Sequence, residues 1–152
     1  MTVLLIVAHA PLASALKAVA QHTFPDCAKR LEVLDVLPDM SPETIQAQLR
    51  QMILGGVGRE TLVLTDVFGA TPCNVAKLLA LQEDLGQVKV VTGVNVPMLW
   101  RALCYADDSL DALVARAMAG ATQGIMQVAA SRPQIQSTRP LSHDQNPDHH
   151  QQ

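Results

Sequence analysis

Short apolar runs alternate along the chain with segments whose apolar residues recur at helical spacing. The runs are rich in Leu and Val and have the length of a strand, which indicates strands covered on both faces, as in a parallel sheet. They are Val3 to Ala8, Leu31 to Leu37, Thr61 to Asp66 and Gln87 to Thr92. The second run alternates more than the others, so we expect it to form an outer, half-exposed strand.

The segments between these runs predict helices with defined starts. Ser41 precedes Pro42, and Ser109 precedes Leu110; serine is a favoured N-cap, and proline is tolerated in a first helical turn. Thr71 is a plausible N-cap of the segment that begins there. The predicted helices cover residues 11–22, 42–54, 71–81, 97–105 and 110–123.

Some predicted helices carry specific packing expectations. The helix after Thr71 should bury Val75, Leu78 and Leu79, which share one face. In the next helix Met98 and Trp100 should pack against the sheet. After Gly124, residues 125–130 fit either a short last strand or a continuation of the preceding helix.

Strands that alternate with helices predict an α/β, doubly wound fold with right-handed crossovers. We expect a mostly parallel sheet of four strands with helices on both faces, and a fifth C-terminal edge strand if residues 125–130 are extended. One domain should cover residues 1–130. From Ser131 the chain turns to Pro, Gln, Ser and His, which predicts a disordered tail over 131–152. Its histidines are interpreted as solvated rather than metal-binding; they are His143, His149 and His150.

Composition excludes several classes of function. The chain has 152 residues, a net charge of -3 and 3% aromatic residues. Such a chain offers neither the basic surface nor the stacking rings that nucleic acid requires. The three cysteines have no CxxC spacing, and no apolar run approaches the length of a membrane span, so a cytoplasmic protein without a metal or cofactor is expected.

Candidate chemistry lies where two strands end. The first strand ends at His9 and the third at Asp66, and their side chains converge if those strands are neighbours. An imidazole becomes a dependable nucleophile when its other nitrogen donates a proton to a fixed carboxylate. The alternatives are a structural, hydrogen-bonded His9 and an Asp66 that caps a loop. His22 is expected at the surface and Cys73 as a buried, inert thiol.

The loop after Asp66 has small residues and leads into a helix. Gly69, Ala70 and Thr71 would surround phosphoryl oxygens with backbone N–H groups at the positive end of that helix, together with the Thr71 hydroxyl. Neither a Walker A motif nor GxGxxG is present, so a nucleotide is not the obvious phosphate source. These residues favour a covalent phosphohistidine carrier.

Three segments, in order, resemble the mannose-type enzyme IIA domain of the bacterial phosphoenolpyruvate-dependent sugar phosphotransferase system. They are LLIVAHAPLASAL, DVFGATPCNVA and GVNVPML, within a resemblance that runs from about residue 2 to residue 130. The resemblance implies that His9 accepts a phosphoryl group from the phosphocarrier HPr on the nitrogen remote from Asp66, and passes it to a IIB component. It also implies a homodimer that exchanges residues 125–130, and contact with the membrane only through a transporter complex.

The sequence departs from that family at three positions, and two other functions stay open. Ala10 and Ala70 stand where the family commonly has Gly, and Cys73 replaces an aromatic residue. These changes bear on partner choice and transfer rate more than on the chemistry. The alternatives are a regulatory docking protein whose His9 phosphorylation is only a signal or never occurs, and the phosphotransfer subunit of a dihydroxyacetone kinase.

Overall fold

A computed structural model describes residues 1–56 and 58–130, and these residues form a four-stranded sheet between two layers of helices. The spatial order is β2-β1-β3-β4, and every neighbouring pair is parallel. Both the fold class and the parallel sheet predicted from the sequence are therefore confirmed. The strands are β1 (Val3–His9), β2 (Leu31–Val36), β3 (Glu60–Thr65) and β4 (Gln87–Thr92).

The strand order positions the candidate site. β1 lies between β2 and β3, because the chain first winds from β1 to β2 on one side and then crosses back to β3 on the other. The switch in winding direction therefore lies between the two central strands, β1 and β3. In open α/β sheets, ligands bind beyond the carboxyl ends of the strands at such a switch point. β1 ends at His9, and β3 ends one residue before Asp66. The two residues therefore meet at the expected edge of the sheet.

The predicted helices are present, and two of their caps are confirmed. The Ser41 hydroxyl accepts a hydrogen bond from the Thr44 N–H at 3.1 Å, and the Ser109 hydroxyl accepts one from the Ala112 N–H at 3.4 Å. A four-residue helix before β2 and a 3-10 helix at Glu83–Leu85 are too short for their periodicity to be detected in the sequence. The helices are α1 (Leu12–Thr23), α2 (Pro25–Ala28), α3 (Pro42–Gly55), α4 (Thr71–Ala80), α5 (Val96–Cys104) and α6 (Leu110–Gln123).

Alternate residues of the central strand fill two separate cores. Leu4 and Ile6 pack with α1, α5 and α6, whereas Leu5 and Val7 pack with α3 and α4. All four side chains are essentially buried, because helices cover both faces of the sheet. Burial on both faces explains why the run reads as continuously apolar rather than alternating.

Two packing predictions were wrong. Leu78 is 55% exposed, because the buried stripe of α4 runs through Ala76 and Leu79, and Leu78 lies about 100° round the helix from Leu79. Trp100 is 38% exposed and contacts the Phe24 ring edge-on, with 5.9 Å between ring centroids, rather than packing on the sheet. Met98, by contrast, is buried in the core as predicted.

The described chain ends in an exposed segment without regular secondary structure. α6 ends at Gln123 with Gly124 as its C-cap, so a helical continuation through residues 125–130 is wrong. These residues do not form a strand either. The predicted disorder of 131–152, with His143, His149 and His150, lies outside the described residues. Within the described ranges, no helix is both long enough and apolar enough to cross a membrane.

Candidate functional site

His9 and Asp66 meet at the carboxyl ends of β1 and β3. The Nδ1 atom of His9 lies 2.6 Å from Oδ2 of Asp66. The side chain of His9 is 54% exposed, whereas that of Asp66 is only 12% exposed. The carboxylate is therefore the less exposed of the two groups, and Nε2 is the ring nitrogen remote from it. When Nδ1 is protonated and donates a hydrogen bond to Asp66, Nε2 carries a free lone pair.

Two backbone groups also fix the carboxylate of Asp66. Oδ2 accepts the His9 N–H at 3.0 Å, and Oδ1 accepts the Val67 N–H at 2.9 Å. Burial raises the pKa of Asp66, but hydrogen bonds from His9 and Val67 outweigh it and hold this pKa below the ordinary Asp value. Asp66 is consequently ionised at neutral pH and can balance positive charge on the imidazole.

The turn after Asp66 is fixed by side-chain and main-chain hydrogen bonds. Asn74 donates from its side-chain amide to the Gly69 carbonyl at 3.1 Å. Gly69 has a φ of +84°, a conformation that favours glycine, so this residue type is required at this point of the turn. On the side of β4, the Gly93 N–H donates to the Asp66 carbonyl at 3.0 Å. These contacts position the turn relative to both α4 and β4.

The N-terminus of α4 opens at the end of this turn. Ala70, not Thr71, is the N-cap residue, and the helix has no side-chain cap, so the predicted capping role of Thr71 was wrong. Because Thr71 is already helical and Pro72 has no N–H, the open first-turn donors are the N–H groups of Thr71 and Cys73. An uncapped helix start with a positive dipole end is suited to bind an anion.

Apolar side chains are exposed directly after Asp66 in the chain. Val67 and Phe68 directly follow Asp66, and they are 51% and 76% exposed. A ring as exposed as that of Phe68 contributes little to the stability of the isolated chain. His22 is exposed as predicted, and the predicted burial of Cys73, on α4, is confirmed by its 5% exposure.

Sequence reasoning missed two residues that shape the site. Asn74 ties the turn to α4, and Gly93, with a φ of +81°, ties it to β4. An Asn in the first turn after a glycine-containing loop, and a Gly directly after the apolar strand β4, were the available signals. Neither reveals its partner: the Asn74 contact depends on the local fold of the turn, and the Gly93 contact joins segments 27 residues apart in sequence.

Comparison with known proteins supports one family. The sequence model described as PTS system fructose IIA component matches residues 3–118. The PTS system mannose-specific EIIAB component of Escherichia coli K12 is 31% identical over 103 residues, which cover 64% of this chain and 30% of that relative. The chain thus matches less than a third of the length of that relative. The PTS system sorbose-specific EIIA component of Lacticaseibacillus casei is 27% identical over 116 residues, which cover 76% of this chain and 82% of that one.

Solved structures share the fold. A mannose/sorbose specific IIA subunit from Enterococcus faecalis superposes with a TM-score of 0.75 at 26% identity, covering 85% of this chain and 96% of that one. A phosphotransferase system component EIIA from Streptococcus agalactiae gives a TM-score of 0.76 at 24% identity, covering 84% and 97%. Since the family match extends over most of the described sheet and helices, this chain belongs to the mannose-type enzyme IIA family of the sugar phosphotransferase system.

Proposed function

We propose that this protein is a phosphohistidine carrier: His9 accepts a phosphoryl group from phospho-HPr and passes it to a IIB component, during sugar uptake or its regulation. The observation that carries the proposal is the 2.6 Å contact between Nδ1 of the half-exposed His9 ring and the carboxylate of Asp66, whose side chain is only 12% exposed. Family membership supports the same role, because it places the chain among IIA components of this system.

The transfer step follows from that contact. Nδ1 of His9 keeps its proton and donates a hydrogen bond to Asp66, so the free lone pair is on Nε2, which attacks phosphorus. A bond forms between Nε2 and phosphorus while the bond between phosphorus and the donor breaks, and the donor keeps that electron pair. The imidazole gains positive charge, which the ionised Asp66 balances. Onward transfer to a IIB nucleophile is the reverse process with a different partner.

The uncapped start of α4 would hold the phosphoryl oxygens. The methyl side chain of Ala70 cannot accept hydrogen bonds from the open N–H groups of Thr71 and Cys73. The Gly69 to Thr71 loop is therefore free to receive an anion, and the exposed Thr71 offers a hydroxyl donor beside it. In such a preorganised setting, N–H donors stabilise the negative charge on the oxygens during transfer.

The exposed apolar pair Val67 and Phe68 supports a protein, rather than a small molecule, as phosphoryl donor. These residues directly follow Asp66, and their side chains are more than half exposed. Exposed aromatic side chains are typical anchors of protein interfaces. HPr and a IIB component would cover this surface in turn, because both must reach Nε2 of the same ring.

We also propose a homodimer in which residues 125–130 of each chain pair with the partner. Ile125, Met126 and Val128 are 76%, 71% and 87% exposed, which is unusual for a run of apolar side chains. In the described residues β4 is an edge strand, with free pairing groups on its outer side. An exchanged segment would cover that edge and bury these side chains together.

The function is tested by phosphorylation of the pure protein with phosphoenolpyruvate, enzyme I and HPr. The expected product is heavier by one phosphate group, and the modification is acid-labile and base-stable. His9→Ala should remove it, whereas His22→Ala, which alters another exposed histidine, should not. A wild-type chain that stays unmodified would contradict the carrier function and favour a pure docking protein.

A second measurement separates transport from signalling. The phosphorylated protein is mixed with candidate mannose-family IIB components, and the loss of phosphate from His9 is followed by mass spectrometry. Rapid transfer to a IIB component is expected. Stable labelling without transfer to any IIB component would favour a protein whose phosphorylation state is only a signal.

A further inference from the structure

Two buried threonine hydroxyls belong to the last residues of two neighbouring strands, directly before Asp66 and Gly93. Thr65 on β3 is paired in register with Thr92 on β4. Thr65 is completely buried, and the hydroxyl oxygen of the half-buried Thr92 is itself shielded from solvent. Neither hydroxyl has a hydrogen-bond partner among the residues that the structure describes. Buried polar groups rarely stay unpaired, because they lose hydrogen bonds to water without replacing them.

The surroundings of the pair leave few candidate partners. Alternation along the strands directs both hydroxyls to the face covered by α3 and α4, where Val63 and Val90 are also buried or half-buried. On β1, the residue in register with Thr65 is the buried Val7, which offers no polar side chain. The two threonines are therefore in-register neighbours on the same face of the sheet, and neither hydroxyl has a partner in the described part of the chain.

The pair lies at a sensitive point of the site. The residue after Thr65 is Asp66, and the residue after Thr92 is Gly93, whose N–H donates to the Asp66 carbonyl at 3.0 Å. The Val94 N–H donates in the same way to the Thr65 carbonyl at 3.0 Å. Any link between the two side chains therefore acts on the same strand ends that orient the carboxylate of Asp66.

We propose that Thr65 and Thr92 bind one buried water molecule between β3 and β4, and that this bridge makes them positioning residues for Asp66. A hydroxyl can donate one hydrogen bond and accept two, so one water can satisfy both side chains. Buried waters in proteins bind to such otherwise unpaired polar groups and form part of the structure. The bridge would couple the two strand ends independently of the proposed phosphoryl transfer.

The first test is a double-mutant cycle with Thr65→Val, Thr92→Val and the double variant, using urea unfolding. Valine keeps the shape of threonine, so the strands stay packed. Each single change leaves one hydroxyl buried without its bridge and should lower the urea midpoint. The double variant removes both hydroxyls, so its loss of stability should be smaller than the sum of the losses in the two single variants. Thr61→Val, a buried threonine in register with Val88, is the control and should combine additively with Thr92→Val.

Two readouts separate positioning from a merely structural role. A crystal structure of the full chain should contain an ordered water within hydrogen-bond distance of both hydroxyls. The amide resonances of His9 and Val67, which both donate to Asp66, should shift in each single variant but not in Thr61→Val. Additive losses of stability, unshifted amides, or a direct hydroxyl-to-hydroxyl bond without water would each overturn the proposal.

Discussion

Asp66 binds His9 at two points with the same oxygen. Its Oδ2 atom accepts the His9 backbone N–H at 3.0 Å and lies 2.6 Å from Nδ1 of the ring. One carboxylate oxygen therefore fixes both the strand end and the orientation of the side chain attached to it. The remaining oxygen is held by the Val67 N–H. The ring can change partners only at Nε2, which is the atom that the proposed transfer uses.

Asp66→Asn should keep the fold but slow phosphorylation of His9 by about 100-fold, the lower part of the range for proton-transfer and charge-balancing groups. Asp66 accepts at both oxygens, so an amide would direct its NH2 group either at His9 or at the Val67 N–H. It also cannot balance positive charge on the ring. The initial rate of mass gain measures the effect, and Asp39→Asn, at an exposed position after β2, is the control. A normal rate in Asp66→Asn would refute the orienting role.

The low pKa of Asp66 predicts a pH dependence of stability. Because the folded chain holds this pKa below its value in the unfolded chain, the contribution is fully present above the ordinary Asp pKa of about 3.9. It is lost as the pH falls through the folded value. The free energy of unfolding should therefore decrease more steeply below about pH 4 in the wild type than in Asp66→Asn. Urea unfolding at a series of pH values measures both slopes, and equal slopes would contradict the prediction.

Ala70→Asp should stabilise the protein and inhibit phosphorylation. The N-cap residue of α4 has extended backbone angles, with φ -85° and ψ 166°, which a capping aspartate adopts. The new carboxylate would bond the open N–H groups and raise the free energy of unfolding by about 1 kcal/mol. It would also occupy the place proposed for the phosphoryl oxygens. Ala70→Gly adds no carboxylate and leaves that place open, so phosphorylation of this variant should not be inhibited relative to the wild type. If Ala70→Asp were phosphorylated normally, the anion would have to bind elsewhere.

Asn74→Ala should loosen the turn between Asp66 and α4. It removes the 3.1 Å hydrogen bond to the Gly69 carbonyl, which corresponds to a loss of about 1 kcal/mol of stability. Phosphorylation should slow as well, because this turn carries the proposed oxygen-binding groups. Asn74→Asp has a similar size but no N–H donor and should behave in the same way. Lys77→Ala, on the exposed face of the same helix, serves as the control and should leave the rate unchanged.

The proposed homodimer depends on the apolar residues at the end of the described chain. The double variant Met126→Asp/Val128→Asp puts charges where the exchanged segments would be buried, so it should sediment as a monomer. Leu81→Asp alters an equally exposed apolar residue, 75% exposed, at the end of α4, and should keep the mass of the wild type. Analytical ultracentrifugation distinguishes the two. A monomeric wild-type protein would rule out the exchange.

The sequence was most informative where one local rule decided the structure. Apolar runs predicted all four strands to within about a residue at their ends. The runs of β1 and β3 are the most continuous, because strands buried on both faces tolerate few polar positions. Ser41 and Ser109 were correct as caps because each is followed by a regular helical pattern. The convergence of His9 and Asp66 required only that β1 and β3 be neighbours.

The remaining details depend on how the turns fold and how the helices are placed on the sheet. Thr71 is a better capping residue type than Ala70, but the turn at Gly69 starts the helix one residue earlier, and residue type alone could not reveal this. Leu78 has the same apolar side chain as Leu79, and only the placement of α4 on the sheet selects which of them is buried. Asn74 and Gly93 have partners that no local pattern indicates.

The half-exposed ring of His9 has a consequence for how long an intermediate can last. Burial protects reactive bonds from hydrolysis, and a side chain that is 54% exposed has little such protection. A phosphorus–nitrogen bond at Nε2 would thus decay steadily in bulk water unless an acceptor arrived first. Under the proposed function, the occupancy of this histidine would then follow the momentary ratio of phosphoryl supply to demand, and the molecule would report that ratio rather than store phosphoryl groups.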